Sequence, residues 1–401
     1  MNPLIMLGGA FACLALAAHL ASIAVVLLRF RKDDCIQDDC AQDRAQDVGA
    51  PVSILRPVCG VENFIEETLE SAFVLDYPRY EIVFCVADKD DPVIPMVRRL
   101  IAAYPAVEAR LLTGHADVSG NPKLNNLVKG WHDSRNPWAI MADSNVLMPR
   151  DYIRRMRSAW RADTGLVCSP PVGARPENFW AELECMFLNT YQARWQCFAD
   201  SIGLAFAQGK SLLWRRDLLD AAGGIEALAR DVAEDAAATK IVRAKGLRVR
   251  LVSRPFVQPL GYRRAMEVWN RQLRWARLRR RTFPWFFLPE LSVGAVPPLA
   301  LASMIAISQG WPVIATIVPL ALAWYAAEAC LARAAGWDFS LRSILACILR
   351  DLLLPLLWLW AWAGNNFEWR GNLMTVAFAT APESGAALPR LAGETDGRPG
   401  G

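Results

Sequence analysis

From residue 3 to residue 28 the chain carries no charged side chain, and His19 is the only basic group in the run. A run of this length meets the ~20 apolar residues a helix needs to cross a ~30 Å hydrocarbon core. Arg29, Arg31 and Lys32 follow at once with no small-residue cleavage site, so residues 1–32 are expected to be a retained anchor and not a removed signal. The positive-inside rule then puts residue 29 onward in the cytoplasm. Composition agrees that part of the chain lies in a membrane, because 54% of its 401 residues are hydrophobic and 16 are tryptophan, too apolar for a wholly soluble enzyme. The net charge of +4 averages over unlike segments and points to no nucleic-acid partner. Ten cysteines without a CxxC pair read as reduced thiols.

Residues 33–50 are polar and acidic, the composition of a linker. Beyond them the pattern alternates. Val52 to Leu55 reads as a strand, with Ile65, Leu69, Ala72 and Phe73 on a helical face behind it and Asn63 with Glu66 spaced as a capping box. Glu81 to Ala87 and Ala109 to Leu112 read as further strands, each followed by helical periodicity. This order predicts an α/β fold with a Rossmann-like sheet over residues 51–281.

Trp138 to Ala142 fits a strand buried on both faces, and it ends abruptly in Asp143-Ser-Asn145. Open sheets place ligands at such strand ends, where one carboxylate suits a Mg²⁺ or Mn²⁺ ion that takes its other ligands from water and phosphate. An ordinary turn after a strand fits the same three residues. Asp88 and Asp91 close the previous strand, and Asp91 before Pro92 is also a good helix cap. Lys123, in the first turn of a helix, opposes the macrodipole unless an anion sits there, as a diphosphate would. Glu234 and Asp235 open an alanine-rich helix, either as dipole partners or with Asp235 as a general base. Eight arginines lie between Tyr262 and Arg281, a basic stretch suited to anionic lipid heads.

Taken in order, Ala142-Asp143-Ser144, Ala233-Glu234-Asp235 and Arg271-x-x-Arg274-Trp275 resemble the D, D, D, (Q/R)xxRW signature of membrane-bound inverting glycosyltransferases. Cys85-Val-Ala-Asp88-Lys-Asp-Asp91-Pro92, Asn121-Pro-Lys123-Leu-Asn-Asn126 and Leu75-Asp-Tyr-Pro78 narrow the likeness to the ceramide glucosyltransferase family, including bacterial relatives acting on ceramides or hopanoids. The resemblance implies a glycosyltransferase A fold, a UDP-sugar donor (UDP-glucose first, UDP-galactose or UDP-N-acetylglucosamine as alternatives) and a divalent cation. It implies a membrane-lipid acceptor, ceramide before hopanoid. Asp88, Asp91 and Lys123 would then bind the donor, Asp143 the metal and diphosphate, and Asp235 would be the base, with Arg271, Arg274 and Trp275 closing over the reacting groups. The sequence departs from the signature in having Asn145 where a second acid often stands, and Arg271 instead of Gln favours transfer of a single sugar over a processive polysaccharide synthase. A non-enzymatic membrane scaffold would need all these acids to be caps.

Three apolar stretches, at about 291–309, 312–332 and 343–364, make residues 282–366 a C-terminal membrane region of two to three helices. The last contains Arg350-Asp351 and is expected to be interfacial or re-entrant if it does not span, since each charge at a bilayer centre costs at least ~2.5 kcal/mol. Residues 367–401 are expected to form a largely disordered tail.

Overall fold

Four strands run parallel on one side of the main sheet: β1 (Val52–Val58), β2 (Tyr80–Val86) and β4 (Trp138–Ala142), largely apolar and buried, and β3 (Glu108–Thr113), half polar, at the edge. A computed structural model of the chain describes residues 3–39, 49–114, 116–369 and 372–375. Helices α2 (Ile65–Glu70), α3 (Ile94–Ala103) and α4 (Pro122–Asp133) make the crossovers, as the βαβ periodicity requires. The sheet continues through α5 (Tyr152–Ser158) and β5 (Thr164–Ser169), then β7 (Ser211–Arg215) and β8 (Arg248–Leu251), in the order β3-β2-β1-β4-β7-β5-β8. The chain reverses its direction of travel between β1 and β4, which makes the carboxyl ends of these two strands the crevice of the sheet.

The α/β expectation is met, with one difference of consequence. β7 runs antiparallel between β4 and β5, Ala142 facing Ser211. A parallel strand would carry its start to the opposite edge; this one carries its start to the end of β4. A second, two-stranded sheet pairs β6 (Val172–Pro176) with β9 (Val257–Gly261), neither of which stands out as apolar alternation. Between them α6 (Phe179–Met186), a π-helical stretch at Phe187–Ala193 and α7 (Arg194–Ser201) follow without a break. The short α8 (Arg216–Asp220) precedes α9 (Glu234–Ala244), and α10 (Ala265–Thr282) closes the domain.

The Asn63–Glu66 capping box does not form. α2 starts at Ile65 after Phe64 at φ 57°, and Asn63 instead donates to the carbonyls of Leu260 (3.0 Å) and Tyr262 (3.1 Å), tying this turn to the end of β9. The anchor helix α1 runs Pro3–Asp39, so the first seven residues of the expected linker are helical; residues 40–48 of that linker, and residues 370–371 and 376–401 of the expected tail, lie outside the described residues.

After α10 come α11 (Pro284–Phe287), α12 (Val296–Ser308), α13 (Val313–Ala335) and α14 (Leu341–Trp362), then a hairpin of β10 (Asn366–Trp369) and β11 (Asn372–Thr375). Ile5–Arg31 within α1, α13 and α14 are long and apolar enough to cross a membrane, and the 284–292 and 296–308 segments form a pair bent by 43°. The 291–309 stretch yields a helix of only 13 residues, while 343–364 forms one continuous helix. Arg350 and Asp351 are accommodated because both are buried: Arg350 bonds Glu328 (3.0 Å), Asp351 (2.8 Å) and Thr190 (2.5 Å), and Asp351 accepts from the Ala295 N–H (3.1 Å). Arg194 reaches Nδ1 of His19 at 2.7 Å in the same interior, and the His19 ring stacks on Trp324.

Candidate active site

Asp143 stands at the β1/β4 crevice because β4 ends at Ala142, and its backbone is clamped from below. Arg56, fully buried in β1, donates to the carbonyls of Asp143 (3.1 Å), Ser144 (3.0 Å) and Val146 (3.2 Å), and to that of Thr68 (2.9 Å). Burial lowers the Arg56 pKa to about 10, with the nearby Tyr152 and Asp143 opposing, so it stays charged at neutral pH. Its signal was available as a lone guanidinium in an otherwise apolar strand.

The antiparallel β7 delivers Gly209 and Lys210 beside Asp143, the Asp143 N–H donating to the Lys210 carbonyl at 3.0 Å. Both carboxylate oxygens of Asp143 are engaged, one with Lys123 Nζ at 2.7 Å and the other with Lys210 Nζ at 3.0 Å; the side chain is 22% exposed. Burial alone would raise the Asp143 pKa, but the two ammoniums outweigh it and hold the carboxyl well below its usual range. Lys123 also meets Glu234 at 2.6 Å and donates to the Gly209 carbonyl. Burial disfavours its charge, yet Asp143 and Glu234 together raise its pKa. The anion that reconciles Lys123 with its helix N-terminus is therefore, in this structure, a pair of carboxylates.

The rest of the Asn121-Pro-Lys-Leu-Asn-Asn segment builds this arrangement. Asn121 caps α4, its carbonyl oxygen accepting from the Lys123 and Leu124 N–H groups, while its amide donates to Glu234 Oε2 at 2.7 Å. Asn126 donates to the Cys85 carbonyl at 2.7 Å, fixing α4 to the end of β2. At the start of α9, Glu234 is buried by these contacts and Asp235 accepts from the Gly209 N–H at 3.0 Å. A Cβ on Gly209 would fall 2.7 Å from Glu234 Oε1, so a side chain here would push Glu234 out of its present position between Lys123 and Asn121. Burial first, and the Glu234 charge second, push the Asp235 pKa up to about 7, against the pull of Lys123.

The structure thus brings Lys123, Asp143 and Asp235 into one pocket of charge, with Glu234 and Lys210 added. Arg271 of α10 lies close enough to lower the Lys210 pKa, behind the larger effect of burial. It is held by Glu184 of α6, a fully buried carboxylate that also faces Arg263 at 3.4 Å. Arg274 and Trp275 stand half-buried on the same helix, Trp275 against the core shared by α6, α10 and α14. Asp88 and Asp91 sit apart at the end of β2: Asp88 is exposed and accepts from the Asp90 N–H (2.9 Å), whereas Asp91 is buried and accepts from the Gly60 (2.9 Å) and Val93 (2.9 Å) N–H groups. Asp91 therefore does act as a structural clasp. Among the described residues no group of three or more His, Cys, Asp or Glu side chains could cage a metal by itself. Asp143 offers one carboxylate, 22% exposed, to an ion whose remaining ligands come from water and a diphosphate, and such an ion would take the place of one of the two ammoniums now on it.

Residues 14–381 match the family model described as Glycosyl transferase family 21. The chain belongs to that family. As a family 21 glycosyltransferase it is 26% identical over 334 residues to Ceramide glucosyltransferase 3 of Caenorhabditis elegans, covering 82% of this chain and 73% of that protein. It is 31% identical over 288 residues to a ceramide glucosyltransferase of Komagataella phaffii, covering 57% of this chain and 56% of the relative. Against Ceramide glucosyltransferase 1 of C. elegans, at 28% identity, it spans about half of the relative's length (52%). Among solved structures, a mannosyltransferase from Pyrobaculum calidifontis in complex with GDP-Man and Mn²⁺ aligns over 89% of this chain and 97% of its own, at 19% identity and a TM-score of 0.47.

Proposed function

We propose that this family 21 enzyme transfers one sugar from a UDP-sugar, UDP-glucose in the first instance, to the hydroxyl of a membrane lipid, ceramide in the first instance, with inversion at the anomeric carbon. The observation that carries the reading is Asp235, a carboxyl with a pKa of about 7 beside a cluster of three cations, Lys123, Lys210 and Arg271. A base is most useful when its pKa lies near the working pH. Asp235 takes the proton of the acceptor hydroxyl while that oxygen forms its bond to the anomeric carbon. The bond from that carbon to the diphosphate oxygen breaks, and the electron pair leaves with UDP. Lys123, Lys210 and Arg271 offset the charge that develops on the departing diphosphate, and the fork of Arg271 and Arg274 suits bidentate contact with phosphate. A divalent ion held by Asp143 would add Lewis-acid stabilisation of the same charge. Asp88 and Asp91 are assigned to the nucleotide end of the donor on their position at the mouth of the adjacent strand.

Membranes containing the enzyme, supplied with radiolabelled UDP-glucose, UDP-galactose or UDP-N-acetylglucosamine and with ceramide or a hopanoid alcohol, test the assignment. Labelled glucosylceramide is the expected product. Label in a ladder of soluble oligosaccharides, or in no lipid at all, would refute it.

The neighbours of Asp235 set its working range. Glu234→Gln removes a charge that raises the Asp235 pKa, so the acidic limb of the pH–rate profile, expected near pH 7 in the wild type, should move to lower pH. The same substitution deprives Lys123 of one of its two carboxylates, so it is not a silent control and should weaken donor binding or its metal dependence as well. An unmoved acidic limb would show that Glu234 does not act on the base.

Glu184 is a positioning residue that sequence reasoning did not single out, lying within an aromatic helical stretch where no acid is conspicuous. Glu184→Gln leaves Arg271 and Arg263 facing a neutral amide in a buried place. Loss of a charged hydrogen bond predicts about 1.5–3 kcal/mol lower stability by urea unfolding, and kcat/KM should fall about tenfold or more because Arg271 is no longer fixed beside Lys210. Glu184→Asp should recover stability more than turnover, since a shorter carboxylate restores the charge without the reach.

A further inference from the structure

The last long helix, α14, has an exposed side that is apolar apart from Arg342 in its first turn. Leu341, Leu345, Ile348, Leu352, Leu356 and Leu359 are exposed at intervals of three and four, a single stripe along its whole length. Its opposite side, with Ser343, Arg350, Asp351, Leu354 and Leu357, is buried. A helix with apolar residues outward and charges inward faces lipid, but a spanning helix and one lying along the surface share that pattern. The positions of the two ends separate them.

At about 1.5 Å per residue, α14 is about 33 Å long, enough to put its ends on opposite sides of a ~30 Å core. Its first turn is bound to α6: the hydroxyls of Ser340 and Ser343 donate to one oxygen of Glu182, at 2.6 and 2.5 Å. Its middle is bound to the π-helical stretch, Arg350 to Thr190. Its far end is bound to the basic end of α10, where Arg280 donates to the Gly364 carbonyl at 3.4 Å and to Asn365, and Arg277 to the Asn366 carbonyl. Both ends therefore rest on the α/β domain, and the α10 end carries Arg277, Arg279, Arg280 and Arg281 within about 15 Å of helix from Arg271, too short a distance for these charges to lie across a bilayer from the site.

We infer that α14 lies in the plane of the membrane surface, its leucine stripe sunk into the lipid and the α/β domain seated on its other side. The segments before and after α14 are then on one face of the membrane. Val268, Leu273 and Ala276 of α10 pack in the same core as Leu354 and Leu357 of α14, so the helix bearing Arg271, Arg274 and Trp275 is held at a fixed height above the lipid. The partner of this surface is the bilayer itself, and the inference does not depend on which sugar or acceptor the enzyme uses.

Nitroxide labels on cysteines introduced at Leu341, Leu352 and Leu359 test it, in the full chain with Cys13, Cys35, Cys40, Cys59 and Cys330 changed to serine. The protein is reconstituted in phosphatidylcholine–phosphatidylglycerol vesicles, and label depth is read from relative collision with oxygen and a nickel chelate. All three labels are expected at one shallow depth, about 5–10 Å below the headgroups. Leu341 and Leu359 span about 27 Å of helix, so a label at Leu352 near the bilayer centre, with the other two shallow, would overturn the inference in favour of a span. Three labels in water would overturn it also. Labels at Leu345 and Leu356 give the same reading should one of the first variants fail to fold.

Discussion

Asp235→Asn lowers transfer by about 10² to 10⁴, the usual worth of a general base, while the affinity for UDP-sugar stays close to that of the wild type. The amide keeps the shape of the side chain and its oxygen can still accept from the Gly209 N–H, so the start of α9 stays in place. What it loses is the ability to take a proton. If the residue served only as a first-turn carboxylate, the cost would be a few tenths to ~1 kcal/mol of stability with turnover nearly intact. Single-turnover transfer beside calorimetric donor binding separates the two. The wild type should also lose activity as pH falls through about 7, where Asp235 becomes protonated, and the variant's residual rate should lack that limb. A loss below tenfold with an unchanged pH profile would remove Asp235 from the mechanism.

The second large effect is expected at Asp143. Asp143→Ala should cut transfer by about 10²–10³ or more and abolish any tightening of UDP binding by Mn²⁺. In the presence of a chelator the same variant should bind UDP at least as well as the wild type, because Lys123 and Lys210 no longer spend their charge on a carboxylate. This opposite movement of metal-dependent and metal-free binding is specific to an acid that faces both a metal and two ammoniums. Undiminished Mn²⁺-dependent binding in the variant would sink the metal assignment. Lys210 left without its carboxylate, and Lys123 with one of two, also predict a lower melting temperature, recovered on adding UDP.

The residues that sequence alone could reach share one property: they interrupt a pattern. Asp143 ends a strand buried on both faces, and Asp235 opens a helix, so both are visible without coordinates. Lys210 breaks no pattern. It becomes part of the site only through the antiparallel pairing of β7 with β4, a long-range choice that periodicity does not encode. Glu184 likewise sits among aromatic residues in a segment whose π-helical continuation has no signature in spacing. β6, β8 and β9 were missed because strands of four or five residues with prolines, arginines and an exposed edge carry too few alternations to register. The Asn63 cap failed for a different reason. Its amide had two carbonyls from a distant strand to satisfy, and tertiary contacts outweighed the local motif.

The buried polar groups of His19, Arg194, Glu328 and Arg350 also bear on how the enzyme is made. Their positions divide the chain into four widely separated contributions, the first emerging from the ribosome long before the last. Until α14 is synthesised, Glu328 lacks its hydrogen-bonded partner Arg350 and is left with the charge of Arg194 nearby. Loss of a buried carboxylate's hydrogen-bonded partner is destabilising, so the junction between the anchor helices and the catalytic domain reaches its full stability only when synthesis is nearly complete. Nascent chains should therefore remain loosely assembled at the membrane for most of their elongation, and chains interrupted before residue 350 should present an exposed acidic defect to the cell's proteases.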